Sequence, residues 1–433
     1  MTYPLLPSVC LMDGASTMAA DLIGTSSQLQ AFLQVYLNGG TNPYNGSQFP
    51  GFFTLTNANL YGGDWSVAWG PCVYVEPILG KVGAATNSMY VAFSPSLNTY
   101  VVCIAGTNPL STFDWIYEDF DIFPNYAARW QPPGEPKLPF KADWKITPIL
   151  PFIPAISAAT ATGISDVLTQ KEMRDPNSGQ YLGEFLKAKM KANATLIFAG
   201  HSLAAALAPT LALYLYPNPP AGWNNVFVLS LAGATPGNVG FSTAFGAAFP
   251  MTADSTSNWF WNVDYANKYD VVPHAWDKLL HVVEDEDSAG NYPSIWGVLQ
   301  GPGWDTIGYA VSSAMEVGWF LAADYYSPIQ QLWFTPPWGQ FTGNPPTWSP
   351  LPTYTDASPL TTASELAAVI MAAHTDQYFK YFGVEPPPPI YKHELNTVSP
   401  QAAMLGKVPR TRPRRRTGGL KGLLTARRPP TTR

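Results

Sequence analysis

The stretch ATLIFAGHSLAAALAPTLALYLYP, residues 194–217, constrains the fold more than any other part of the chain. Its apolar run over 195–199 predicts a buried strand, Gly200-His201-Ser202 a sharp turn, and Leu203 onward an Ala/Leu-rich helix. Strand, turn and helix in that order form a nucleophile elbow, in which the turn strains the serine and exposes its hydroxyl at the strand's carboxyl end. The plainer alternative is a tight βα turn with an idle serine. The flanking strand and helix favour a nucleophile.

The surrounding pattern is α/β. Residues 16–37 fit a helix stopped by Gly39-Gly40, and 89–93 with 99–104 form a hairpin around the turn 94–98. Two helices follow over 163–191, broken at Asp175-Pro176-Asn177. After the elbow come a strand over 225–232, a helix through Phe249, a strand over 259–266, and a last helix over 363–382. Strands alternating with helices imply a mainly parallel central sheet with helices on both faces, with active residues at the strands' carboxyl ends.

Two stretches break the alternation. Residues 121–158 are dense in proline and aromatics and read as a lid; the uncharged run 146–165 belongs with it as a cap segment, with lipid-surface contact as its lesser reading. Residues 284–360 carry six of the fifteen tryptophans and read as a cap or an aromatic wall over the site. These are the lid and cap insertions of one domain, 1–385, followed by a tail, 386–433, that opens on the proline run 386–389. Ten of the 24 Lys/Arg lie in 407–433, where there is no acid, so the body is acidic and the tail basic. The tail reads as solvated and disordered, with Arg412 to Arg416 able to dock an anionic surface.

Charged residues make up only 12% against a usual quarter, while aromatics reach 14%, which suits an apolar substrate better than nucleic acid. Three cysteines, Cys10, Cys72 and Cys103, do not make a disulfide framework. No signal peptide is evident and no run reads as a spanning helix, which favours the cytoplasm. Metal-spaced Cys/His clusters and phosphate-cradling glycine loops are not found, so neither a metal nor an organic cofactor is implied.

A serine nucleophile needs an imidazole to take its proton and a carboxylate to orient that imidazole. Of the five histidines, His201 adjoins the serine and should point away across the elbow, His274 sits too close to the presumed acid, His281 lies in an apolar segment, and His393 is beyond the proline run. His374 remains. Asp270 follows a strand in the order Ser, Asp, His; Asp264 is its rival but should face the packing layer, and Asp114 and Asp119 precede the elbow. The alternative role for Asp270 is a turn cap before Pro273. An oxyanion would be held by the N–H of Leu203 and by Thr107, which follows Gly106 after an earlier strand.

GHSLAAALAP resembles the elbow of the class 3, fungal-type lipases, a family of the α/β-hydrolases, and further segments match in order. YVVCIAGTNPLSTFDW resembles the strand and loop carrying its oxyanion residue, LAGATPGNVGFSTAF its post-elbow strand, NKYDVVPHAW its acid segment and AAHTDQYFKYFGV its histidine segment. The resemblance covers about 89–383 and implies an α/β-hydrolase fold that cleaves carboxylic esters of lipids. Ser202, Asp270 and His374 would be its triad, Thr107 and Leu203 its oxyanion donors, and a lipid or other apolar ester its substrate, with transient lipid-surface contact. Two departures stand out: Ala204-Ala205 replace the family's Gly-Gly, so the helix should sit farther from the strand, and Ala105 replaces its Arg. The competing reading is a non-catalytic hydrolase fold that binds lipid or a protein.

Overall fold

In a computed structural model, the described residues are 2–20, 22–76, 83–105, 127–130, 150–270, 272–274, 326–335, 339–342, 346–350 and 371–388. The chain divides into a unit Met1–Thr397 and a second unit Val398–Arg433, and the tail expectations lie outside the described residues.

The central sheet has seven strands: β1 (Ser66–Tyr74), β2 (Asn87–Ser94), β3 (Thr99–Ala105), β4 (Thr195–His201), β5 (Asn225–Leu231), β6 (Val263–Asn267) and β7 (Gln331–Phe334). They lie side by side in chain order. β1, β2 and β3 pair antiparallel, and β3 through β7 pair parallel. Helices α1 (Leu5–Ser16), α2 (Ser26–Asn38), α3 (Ala158–Thr169), α4 (Leu182–Lys189), α5 (Leu203–Leu215), α6 (Val239–Ala248) and α7 (Asp376–Phe382) cover it.

The period of two along each strand feeds two cores. Val101, Cys103, Ile197 and Ala199 join α1, α2 and α7 in one cluster, whereas Val102, Ile104, Leu196 and Phe198 join α3 to α6 in the other. Buried on both faces, β3 and β4 read as continuous apolar runs. All three cysteines are free and buried, Cys103 inside β3.

Four expectations change. The helix expected over 16–37 starts only at Ser26, where α2 opens on a capping box between Thr25 and Gln28, while Ser16 ends a separate helix, α1. α1 is buried from Leu6 through Ser16, so it has no polar stripe from which a helical period could be read. Within the presumed cap segment 146–165, Ser157 caps α3 through the Thr160 N–H at 3.1 Å, and the second half of that segment is core helix. The strand over 259–266 is broken at Asn262, whose φ of 65° swings the chain from a two-stranded ribbon (Thr252–Ala253 with Phe260–Trp261) into β6. Finally, β7 lies inside the presumed cap 284–360 yet extends the central sheet, in parallel register with β6.

Candidate active site

β4 delivers the chain into the elbow. Ser202 has φ 61° and ψ −129°, and its N–H donates to Leu231 O at 2.9 Å, which anchors the strained residue to β5. Gly200 makes the turn possible: a Cβ there would stand 2.2 Å from Ala204 O. Ala204 and Ala205 are buried, so their methyl groups fit between helix and sheet opposite Gly200 and Gly233. Leu203 is the first residue of α5, and its N–H is one of the four that a helix start leaves without an intrahelical acceptor.

His374 lies in helical backbone over 371–374, just before α7, and Asp270 follows β6. Both are buried, and His374 Nδ1 is 2.8 Å from Asp270 Oδ2. Asp270 Oδ1 also accepts the Val272 N–H at 3.0 Å, so the acid ties down its own loop. With Nδ1–H donating to the carboxylate, His374 Nε2 carries the lone pair. Among the described residues, His374 Nε2 and Ser202 Oγ are both buried and hydrogen-bonded to nothing. Buried polar atoms are almost always partnered, which sets these two apart from the hydrogen-bonded groups around them.

Three groups missed by sequence reasoning hold the histidine in place. His201, read as structural, packs on His374: its Nε2 is 2.5 Å from His374 O, and the two rings are 4.6 Å apart between centroids. Desolvation, with His374 adding to it, lowers the His201 pKa to about 3, so the ring is neutral and Nε2–H donates to that carbonyl. Tyr378 OH donates to Asp270 Oδ2 at 3.0 Å and accepts the Asn267 N–H at 3.0 Å. Burial, and then the Asp270 charge, push this phenol well above its usual range, which keeps it a donor. Asn267 Nδ2 donates to Ala373 O at 2.8 Å, fixing the backbone just before His374, and to the side-chain Gln377 Oε1 at 2.9 Å. The N-x-x-D spacing of 267–270 could have flagged Asn267; Tyr378 and His201 carry no signal in the sequence that separates them from core residues.

Asp264 faces the packing layer as expected, buried against Ser230, Gly233 and Gln331. Thr107, Asp114, Asp119, His281 and His393 lie outside the described residues. No group of His, Cys, Asp or Glu able to hold a metal is found among the described residues, and none of their helices is long and apolar enough to cross a membrane.

The profile of lipase (class 3) matches residues 159–287. M37 lipase superposes with a TM-score of 0.55 at 18% identity, covering 89% of this chain and 96% of its own. A mutant form of MDLA from Penicillium cyclopium gives 0.41 at 12% identity over 86% and 95%, and the triacylglyceride lipase of Rhizomucor miehei 0.32 at 16% over 49% and 61%. No curated relative matches the chain. The likeness to M37 lipase is one of fold, and the sequence match spans the elbow and Asp270. Residues 159–287 are thus similar in sequence to the class 3 lipases, and the chain shares with M37 lipase the α/β-hydrolase fold.

Proposed function

We propose that the protein is a serine hydrolase cleaving carboxylic esters of lipids. The observation that carries this reading is the pairing of His374 Nδ1 with Asp270 beside two buried, unpartnered atoms, His374 Nε2 and Ser202 Oγ. Ser202 Oγ attacks the ester carbonyl carbon, and its proton passes to His374 Nε2. Asp270 holds the imidazole in the required tautomer and stabilises the imidazolium. The Leu203 N–H, joined by Thr107 in the motif-based reading, faces the developing oxyanion. The tetrahedral intermediate collapses, the alcohol leaves with the proton from His374, and water releases the acyl group by the same steps. Ser202→Ala is expected to abolish ester hydrolysis while the protein stays folded; retained hydrolysis would overturn the assignment.

Transient contact with a lipid surface is supported by Leu150 and Phe152, which are 52% and 71% exposed. They sit on a segment held against the start of α6 by Gly240 N–H to Pro151 O at 2.8 Å and Asn238 Nδ2 to Ile153 O at 2.7 Å. α6 follows the carboxyl end of β5, the end of the sheet that bears the elbow. A non-catalytic lipid- or protein-binding role has no observation in its favour.

A further inference from the structure

Asp264 is a buried carboxyl that the proposed reaction does not use. Asp264 lies on β6 in register with Ser230 of β5 and Gln331 of β7, so a polar rung crosses three parallel strands. Asp264 Oδ1 is 2.8 Å from Ser230 Oγ and accepts the Gly233 N–H at 3.0 Å; Oδ2 accepts from Gln331 Nε2 at 3.1 Å. Gln331 Nε2 also reaches Pro273 O, in the loop that follows Asp270, at 3.3 Å.

Ser230 Oγ has a second neighbour, Ala205 O, at 2.9 Å. In an α-helix that carbonyl would accept the N–H of residue 209, but residue 209 is Pro209, inside α5, and has no N–H. The Ser230 hydroxyl therefore supplies the donor that Ala205 O lacks. A hydroxyl has one proton. Once it is directed to Ala205 O, none remains for the short contact with Asp264, and the proton in that contact must come from the carboxyl.

We propose that Asp264 is a neutral carboxylic acid that donates from Oδ1 to Ser230, so that Ser230 can hold the first turn of α5 and with it Ser202 and the Leu203 N–H. Asp264 is thus a positioning residue. Its effect on hydrolysis rests on the serine-hydrolase reading; its protonation does not. The surroundings of the acid agree with the proton count. Burial pushes the Asp264 carboxyl up to about 7, and the groups facing it, Asp270 and Tyr378, offer no positive charge to hold it ionised. A Cβ on Gly233 would approach Oδ1 to 2.9 Å, so the glycine gives the acid its room.

The test is an infrared difference spectrum of the full chain against Asp264→Asn at about pH 6. The expected result is a protonated-carboxyl carbonyl band in the wild type that the variant lacks and that fades as pH rises; loss of carboxylate intensity alone would overturn the proposal. A second variant probes the link to the helix. Pro209→Ala restores an N–H to Ala205 O and frees the Ser230 proton for Asp264, so the band's midpoint should fall by roughly one pH unit. An unchanged midpoint would overturn the coupling, and this shift can be read without Asp264→Asn if that variant does not fold. Labelling of Ser202 by a fluorophosphonate in the same samples separates the two readings: a band without labelling refutes the hydrolase, and labelling without a band refutes the neutral acid.

Discussion

Gly200→Ala adds one methyl group where the structure has no room for it. The new Cβ would stand 2.2 Å from Ala204 O and 2.5 Å from its carbonyl carbon, against an unstrained contact of about 3.5 Å. Both obstructing atoms are backbone, and no side chain can turn aside. The first turn of α5 must retreat by about 1 Å, or β4 must buckle. Overpacking of this kind costs about 1–3 kcal/mol, and a backbone obstruction puts this site at the upper end. The same retreat displaces the Leu203 N–H and Ser202 together, and a misplacement of about 1 Å lowers kcat/KM by about 10²-fold. Gly246→Ala is the control: this glycine lies in α6, its Cβ would meet nothing within 4 Å, and the variant should gain about 0.5–1 kcal/mol. The assay is urea denaturation together with kcat/KM on a soluble ester. A Gly200→Ala protein as stable and active as wild type, or a Gly246→Ala protein that loses as much, would refute the packing account of the elbow.

Other perturbations give distinct signatures. The Asp264 carboxyl, raised from 3.8 to about 7 in the folded state, contributes fully below about pH 4 and loses its contribution as pH climbs to about 7. Wild type should therefore lose about 4 kcal/mol relative to Asp264→Asn between pH 4 and 8, and a pH-independent difference would contradict the shift. Replacing His201 by Phe removes one hydrogen bond to His374 O and should lower kcat about tenfold with KM little changed, whereas a change in KM alone would place His201 in substrate binding. Phe152→Ser alters an exposed side chain, so stability should stay within about 0.5 kcal/mol while hydrolysis of dispersed lipid falls and that of a soluble ester does not. Equal loss on both substrates would argue against surface contact.

The α/β alternation was legible because the central strands are buried on both faces and the turns between them carry glycine, proline or asparagine. The elbow was legible because Gly200, a small helix start and an apolar strand must occur together for that turn to close. α1 was not, since a helix buried on every side has no amphipathic period. β7 escaped because its four residues sit among aromatics and prolines that suggest a cap, and only pairing with β6 makes them a strand. The site was legible as residue types in an order. Its supports were not: Tyr378 meets Asp270 across 108 residues and His201 meets His374 across 173, contacts that no local spacing encodes. Asp264 was read as a packing residue, and its hydrogen-bond count depends on a missing N–H in another element.

The central claim is that Ser202 is activated by His374. Labelling with a fluorophosphonate, followed by peptide mapping, measures this directly in wild type, Ser202→Ala and His374→Ala. The account predicts a single modified peptide containing Ser202 in wild type and resistance in both variants. Folded wild-type protein that stays unlabelled even in detergent, or a His374→Ala variant that labels as fast as wild type, would contradict it.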